Sequence, residues 1–562
     1  MSRFRWVEPP LCADEHWNST DSPLLSSILA NRGLTTAEDV ESFLSPSLDQ
    51  LADPYLLPDM DLAVERIRKA IAAGELVAVF GDYDVDGITS TATLSRALDR
   101  LGARSITRLP HRERDGYGLN TAAIDEITKQ GASLLIALDC GTSDHTELAH
   151  AQQLGLTTIV VDHHHIGESS LPGTAFVSPQ RADSRYPFRD LAAVGVTYHL
   201  VRALLGDDEA SEFLPLVALG TVADVVPLVA DNRVLTSIGL RRFAQSGPIG
   251  LRSLALSSGL DPSAITSRHC GFVLGPRINA AGRMADPTIA LELLLTDDES
   301  RADQLAFELG KLNSERQRKV QQMLDVAETK AAANGEAAPL LVVGGDDWSV
   351  GLVGLVAGRL TERFNRPSLA FSMGAEVSRG SARSIEGFNI VEALAACEDI
   401  LVEHGGHSRA AGLTIQTRNL VELEARLIGL SDRTFGGTPP APTLEIDAEL
   451  YGRELSVDTA GLIAQLEPFG QGNPSPRFLV RAVRVSSPRR TRNGKHLQFD
   501  VETASGSGAR AIYFNGGDEL PQFFSRKPMD LVFELKLDSW NGRNQVSMEV
   551  LDYRTSETMS IA

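Results

Sequence analysis

A chain of 562 residues that is 43% hydrophobic has material for roughly three or four domains, each able to bury its own core. Lysine and arginine total 53 against 74 acidic residues, and the net charge of -21 argues mildly against a nucleic-acid partner for the chain as a whole. Four scattered cysteines (Cys12, Cys140, Cys270 and Cys397) exclude a disulfide framework and a zinc knuckle, and with no signal-like N-terminus or run of about 18 apolar residues the expectation is a cytoplasmic protein without a membrane span.

Residues 1–60 read as a helical segment, from Pro23-Leu24-Leu25 and then Thr35-Thr36-Ala37-Glu38 ahead of Val40 and Phe43. Val64, Ile67 and Ile71 before Gly74 predict a helix over 61–73. From there apolar runs at 76–80, 105–109, 134–138, 158–161 and 175–178 alternate with helical periodicity, as at 89–101 and 121–130. This is the pattern of a parallel sheet covered on both faces, in which ligands sit beyond the carboxyl ends of the strands. The polar residues fall there: Asp82, Asp84 and Asp86 follow the first run, Asp139 ends the third, and Asp162-His163-His164-His165 ends the fourth.

One Asp/Gly turn is an ordinary strand-to-helix connection. Three strand ends that together offer five aspartates and a histidine run point instead to a metal, because crowded carboxylates repel unless a cation neutralises them, and oxygen ligands suit magnesium or manganese. Asp224, a single acid within the apolar segment 221–228, is either a buried aspartate satisfied by backbone donors or a further ligand; the need for ligands favours the second.

Residues 229–335 read as mainly helical. Arg277, Asn279 and Arg283 stand among small residues at 275–283, which suits phosphate contact or a glycine-rich turn between helices. The stretch 302–333, rich in charge and poor in breakers, predicts a long exposed helix between two lobes. A second α/β unit begins at Pro339 and holds Ser378–Ser384 and Gly405–Gly412. Small residues there admit a ligand to the backbone, free amides at a helix start favour an anion, and Arg383 and His407 add donors; tight turn packing is the other reading.

Beyond the Pro-rich segment 436–442 the character is β. Asn493-Gly494 and Asn541-Gly542 each lie between strand-like runs and signal hairpins. Residues 481–545 carry 11 Lys/Arg against 7 acids, and Arg489, Arg490, Arg492 and Lys495 share the first hairpin with no acid among them. With Phe499, Tyr513, Phe514 and Trp540, they suggest an OB-like barrel that follows a single strand, or a plain barrel with a solvated charged loop.

The segments GDYDVDGITS (81–90), LDCG (138–141), DHH (162–164), VADVVPL (222–228) and GGHSRAAG (405–412), in that order, resemble the DHH phosphoesterase superfamily, and the likeness runs from the FLSPSL of 43–48 to the β module. The resemblance implies two α/β lobes (DHH, 61–297, and DHH-associated, 336–435) joined by a long helix (298–335), plus a C-terminal OB-like β-barrel (443–553). It implies two divalent ions, manganese or magnesium, that support in-line attack on phosphorus. Asp82 and Asp84 would serve one, Asp86, His163 and Asp224 the other, with Asp139 bridging and His164 against the scissile phosphate. By the same resemblance Arg112, Tyr117, Arg283, Ser381, Arg383 and His407 are candidates for holding a DNA terminus and backbone, Tyr117 by stacking on a base. The implied activity is that of a single-stranded-DNA-specific 5′ to 3′ exonuclease releasing 5′ mononucleotides in recombination and repair, as a monomer with a helicase and a single-strand-binding protein as partners. The alternative within the superfamily, a phosphodiesterase for short oligonucleotides or small nucleotides, needs only the two lobes, so the β module favours the long strand. A catalytically dead scaffold predicts broken metal motifs, and these are intact.

Overall fold

The computed structural model of the chain describes residues 3–8, 20, 22–112, 114–167, 171–333, 338–437, 439–503, 506, 508–525, 527–540 and 543–556. It divides into two compact units, one of residues 48–440 and one that joins 1–47 to 441–562. The segment 1–60 is therefore split, and Leu51 and Leu57 enter the core beneath the first sheet of the 48–440 unit.

In that unit the helix Met60–Ala72 leads into β1 (Leu76–Gly81), α1 (Val85–Arg100), β2 (Arg104–Arg108), β3 (Ala132–Leu138), β4 (Thr157–Val161) and β5 (Ala175–Val177). All five strands are parallel, in the order β2-β1-β3-β4-β5. Alternate residues enter different cores: Val77, Val79, Leu134, Ile136 and Leu138 on one face, Ala78, Phe80, Leu135 and Ala137 on the other. A strand buried on both faces needs apolar residues at nearly every position, which is why the runs read as they do. The chain leaves β1 for β2 and returns to β3 on the opposite side of β1, so the strand order reverses between β1 and β3. Their carboxyl ends, in register at Gly81 and Leu138, frame the crevice where such sheets bind ligands.

Helices α2 (Ala193–Leu205), α3 (Leu214–Ala223), α4 (Gly275–Met284) and α5 (Glu299–Ala333) follow. The 35 residues of α5 span roughly 50 Å. Its position between two lobes is as expected from the sequence, but it is not exposed throughout. Ala302, Leu305, Ala306 and Leu309 are buried among the helices of the first lobe, and Met323, Leu324 and Ala327 pack into the second.

The second lobe contains β6 (Leu341–Gly345), α6 (Val350–Phe364), β7 (Ser368–Ser372), β8 (Val377–Arg383), β9 (Leu401–His407) and β10 (Ala410–Gln416), with sheet order β9-β10-β8-β7-β6. The GGHSRAAG segment is an antiparallel hairpin with Gly405 opposite Gly412. No helix begins there, so free helix-start amides are not what this segment offers.

In the other unit, β11 (Phe478–Arg490), β12 (Leu497–Glu502), β13 (Gly508–Tyr513), β14 (Met529–Trp540) and β15 (Arg543–Thr555) form a closed five-stranded barrel, in which β14 pairs back onto β11. The Asn541-Gly542 turn and the Trp540 side chain lie outside the described residues. Phe499 and Tyr513 are barrel-core residues, 1% and 7% exposed, and do not present faces to a strand; Phe514 is 40% exposed and stands edge-on to His496. The helices Pro23–Asn31 and Ala37–Leu44 add Leu25, Ile28, Leu29 and Val40 to the same core, and the strand Arg5–Val7 pairs with Thr443–Glu445. No helix of the described residues is long and apolar enough to cross a membrane.

Candidate active site

The carboxylates converge at the crevice between β1 and β3. Asp82 follows β1 and is buried. Asp84 caps α1, its Oδ1 accepting from the Gly87 amide at 3.0 Å. Asp86, in the first turn of α1, accepts from the Ala193 and Val194 amides at 2.7 and 2.8 Å, which ties the motif to the N-terminus of α2. Asp139 leaves β3 with φ of 59°, a left-handed turn uncommon outside glycine and typical of functional sites. Asp224 caps the C-terminal end of α3.

Ligand atoms fall into three overlapping groups, Asp82/Asp84/Asp139, Asp86/His163/Asp224 and Asp139/Asp162/His163/His164, within each of which they lie within 4.8 Å of one another. His163 Nε2 links them, 3.4 Å from Asp139 Oδ1, 3.7 Å from Asp224 Oδ2 and 4.0 Å from Asp86 Oδ2.

Electrostatics and hydrogen bonding fit a cation in this place. Burial, then the charge of Asp84, pushes the Asp82 carboxyl well above its usual range; burial and the neighbouring aspartates do the same to Asp139. Asp86 is raised to about 7 and Asp224 to about 9, again by burial first and by other carboxylates second. Asp82 Oδ1 is buried with no hydrogen-bond partner. A carboxylate oxygen so placed costs free energy unless a ligand meets it. Five carboxylates with one imidazole suit a hard divalent ion.

Gly87 shows how tightly the loop is built. A Cβ there would lie 2.5 Å from the Asp82 carbonyl oxygen and 2.6 Å from its amide nitrogen, neither of which can move aside cheaply. Gly87→Ala is expected to displace Asp82 and lower kcat by about 100-fold, the cost of a misplacement near 1 Å. Steady-state kinetics at saturating metal checks this; an unchanged kcat contradicts the close packing.

Asp162 is a residue whose role the sequence leaves unassigned. Its carboxylate accepts from the amides of Thr142, His163 and His164, from the Thr142 hydroxyl at 2.6 Å and from His164 Nδ1 at 2.7 Å. These donors overcome its burial and hold it well below the usual carboxylate range. Burial opposes charge on His164 as well, but its bond to Asp162 prevails and raises it to about 9. His163, buried beside that cation, is lowered to about 4 and is neutral, as a metal ligand must be. The Tyr117 hydroxyl lies 3.1 Å from His164 Nε2, and Tyr117 stands edge-on to Tyr83 with ring centres 6.5 Å apart.

Around this centre the unit gathers arginines that, among the described residues, have no carboxylate partner. Arg112 lies over the Tyr83 ring at 5.4 Å. Arg283 donates to the Gly351 carbonyl at 3.0 Å, and Arg383 Nη1 donates to Ser381 Oγ at 3.1 Å. Burial, then Arg112, lowers both Arg383 and Arg283, the latter to about 10. His407 stands with its ring centre 6.3 Å from that of His165. Arg277 is not brought into this group: its Nη1 is turned back to the Val273 carbonyl at 2.7 Å, and Asn279 is half-buried on the same helix.

In the barrel unit, Arg489, Arg492 and Lys495 are exposed. Arg490 donates through Nε to the Gly517 carbonyl at 2.7 Å and faces Asp518 at 3.7 Å, so it serves the barrel's own structure.

Comparison with known proteins places these features in one context. Residues 76–221 match the DHH family N-terminal domain, 337–430 the DHHA1 domain and 446–552 the RecJ OB domain. The single-stranded-DNA-specific exonuclease RecJ of Bacillus subtilis is 35% identical over 99% of this chain and 71% of its own length. That of Escherichia coli is 32% identical over 94% and 95%. The crystal structure of RecJ with Mn2+ from Thermus thermophilus superposes with a TM-score of 0.84 at 31% identity, over 99% of this chain and 80% of that one, and a Mg2+ complex of the same protein with a TM-score of 0.79.

Proposed function

The chain belongs to the RecJ family of single-stranded-DNA-specific exonucleases, and on that premise we propose that it hydrolyses single-stranded DNA from the 5′ end to 5′ mononucleotides, with two divalent metal ions, in DNA recombination and repair. The observation that carries this reading is the pair of carboxylate groups joined at Asp139 and His163, in the same unit as a set of arginines that have no carboxylate partner among the described residues.

Asp82, Asp84 and Asp139 would hold one ion and Asp86, His163 and Asp224 the other, with Asp139 placed between them. When bound, manganese or magnesium supplies Lewis-acid stabilisation of the phosphoryl group and a water acidic enough to attack it. The protein's own groups do the rest. His164, kept cationic by Asp162, offers its imidazolium to a non-bridging phosphate oxygen. Arg112, Arg283 and Arg383 hold the terminal and adjacent phosphates, with Ser381 fixing the Arg383 fork, and His407 adds a donor from the second lobe. Tyr117, 56% exposed, stacks on a base. An enzyme confined to single strands needs its strand exposed, so a helicase and a single-strand-binding protein are the partners we assign it, with the enzyme a cytoplasmic monomer.

Purified protein is expected to digest single-stranded DNA with manganese, to stop with a chelator and to resume when metal is restored. Digestion that persists after chelation contradicts the metal-dependent reading. The exposed barrel charges add affinity without sequence preference. Arg489→Gln, Arg492→Gln and Lys495→Gln together are expected to weaken binding of a long strand and to reduce the salt slope by about two to three. Titrations at several salt concentrations check this; an unchanged slope returns the hairpin to a solvated surface loop.

A further inference from the structure

The arginine row does not end at Arg283. We propose that Arg316, on the connecting helix α5, is a further phosphate-binding residue for the DNA strand, held ready by Asn313. This deepens the exonuclease reading and rests on it.

Asn313 is 3% exposed, a buried amide on a helix otherwise rich in exposed charge. Its Oδ1 accepts from both Nε and Nη2 of Arg316, at 3.2 and 2.9 Å. The guanidinium is thus fixed by a neutral acceptor, which leaves its full charge uncompensated. Arg316 has no ion pair among the described residues, and Glu315, the acid beside it on α5, is paired with Lys319 at 3.2 Å. A planar fork with part of its donors already fixed by a neutral partner suits an incoming phosphate.

Position supports the same reading. Helices α4, α5 and α6 pack together, and Arg283 at the end of α4 bonds to the first turn of α6. Arg316 lies near enough to Arg283 to disfavour its charge, and Arg359 on α6 does the same to Arg316. Arg383, Arg112, Arg283 and Arg316 therefore form one succession of like charges beside the carboxylates, and it ends at Arg359, which is paired with Glu362 at 3.7 Å. In a chain with a net charge of -21, such a row is costly unless a polyanion lies along it.

The test compares Arg316→Gln with wild type and with Arg318→Ala, an exposed arginine of the same helix. Binding of a 5′-phosphorylated 20-mer is followed by anisotropy with calcium in place of the active metal, and turnover with manganese. Arg316→Gln is expected to raise the Kd and KM about 5- to 10-fold, to reduce the salt slope by about one, and to leave kcat and the hydrolysis of a dinucleotide unchanged. Arg316→Lys is expected to restore the slope and part of the affinity, which a folding defect would not allow. Arg318→Ala is expected to match wild type. Unchanged Kd and slope in Arg316→Gln, or equal losses in Arg318→Ala, overturn the proposal. Failure of wild type to digest the strand would instead sink the exonuclease reading, and the binding curves would still decide for or against Arg316.

Discussion

Replacing Asp139 with alanine is expected to lower kcat on single-stranded DNA by at least about 1,000-fold, the upper end of what one positioned electrostatic group supplies, while strand binding stays within a few-fold of wild type. Asp139 belongs to the first carboxylate group and lies 3.4 Å from the histidine that belongs to the second. Its loss therefore damages both, whereas the arginines that hold the strand lie elsewhere. Folding should not suffer. Without metal, Asp139 is a buried carboxyl that raises its neighbours' cost of ionisation, so its removal is expected to leave the metal-free melting temperature unchanged or higher. Single-turnover kinetics with anisotropy and a melting curve measure all three; turnover within 10-fold of wild type contradicts the shared position.

His164→Ala is expected to lower kcat by about 100- to 1,000-fold with little change in Kd, since the imidazolium acts on charge that develops during reaction. Asp162→Asn removes the acceptor that orients and charges His164, and is expected to cost about 10- to 100-fold. The sign of the pH dependence follows from the same contact. The folded value of His164 is raised to about 9, so the cation is present at neutral pH and is lost as pH rises through that value. Bound divalent ions oppose the charge and bring the midpoint down. Wild-type kcat is therefore expected to fall on the alkaline side, at or below pH 9, and the His164→Ala enzyme to lack that limb. A pH profile common to both contradicts the role of the imidazolium.

The metal cluster was legible because strand ends were. Apolar runs located β1, β3 and β4, and in a parallel sheet the residues following such strands share one edge, which brings Asp82, Asp139 and His163 together on the sequence alone. Asp224 stood out as a single acid in an apolar segment, but its place in one ion's set required the resemblance, since nothing in its local segment says that the end of α3 meets that edge. Asp162 stood in view, but its meaning lies in donors from its own loop and from Thr142, twenty residues earlier. The GGHSRAAG segment misled because small residues permit a helix start and a close strand pair alike; its pairing with β8 is what decides. Phe499 could have been excluded as a strand contact, because it alternates inward with Leu497 and Val501. Nothing local indicates that Leu25 and Ile28 share a core with Phe478, more than 400 residues away along the chain. Arg316 was invisible for a different reason. Within a charged helix it reads as solvated surface, and only the buried Asn313 beneath it marks it out.

The decisive measurement is digestion of a single strand labelled at its 5′ end in one sample and at its 3′ end in another, with manganese and with products sized over time. The 5′ label is expected to appear at once as a mononucleotide while the 3′ label remains on a strand that shortens progressively, and a duplex of the same sequence is expected to resist. A 5′ label that stays on long products, or intact strands beside rapid hydrolysis of a dinucleotide, would contradict the exonuclease reading.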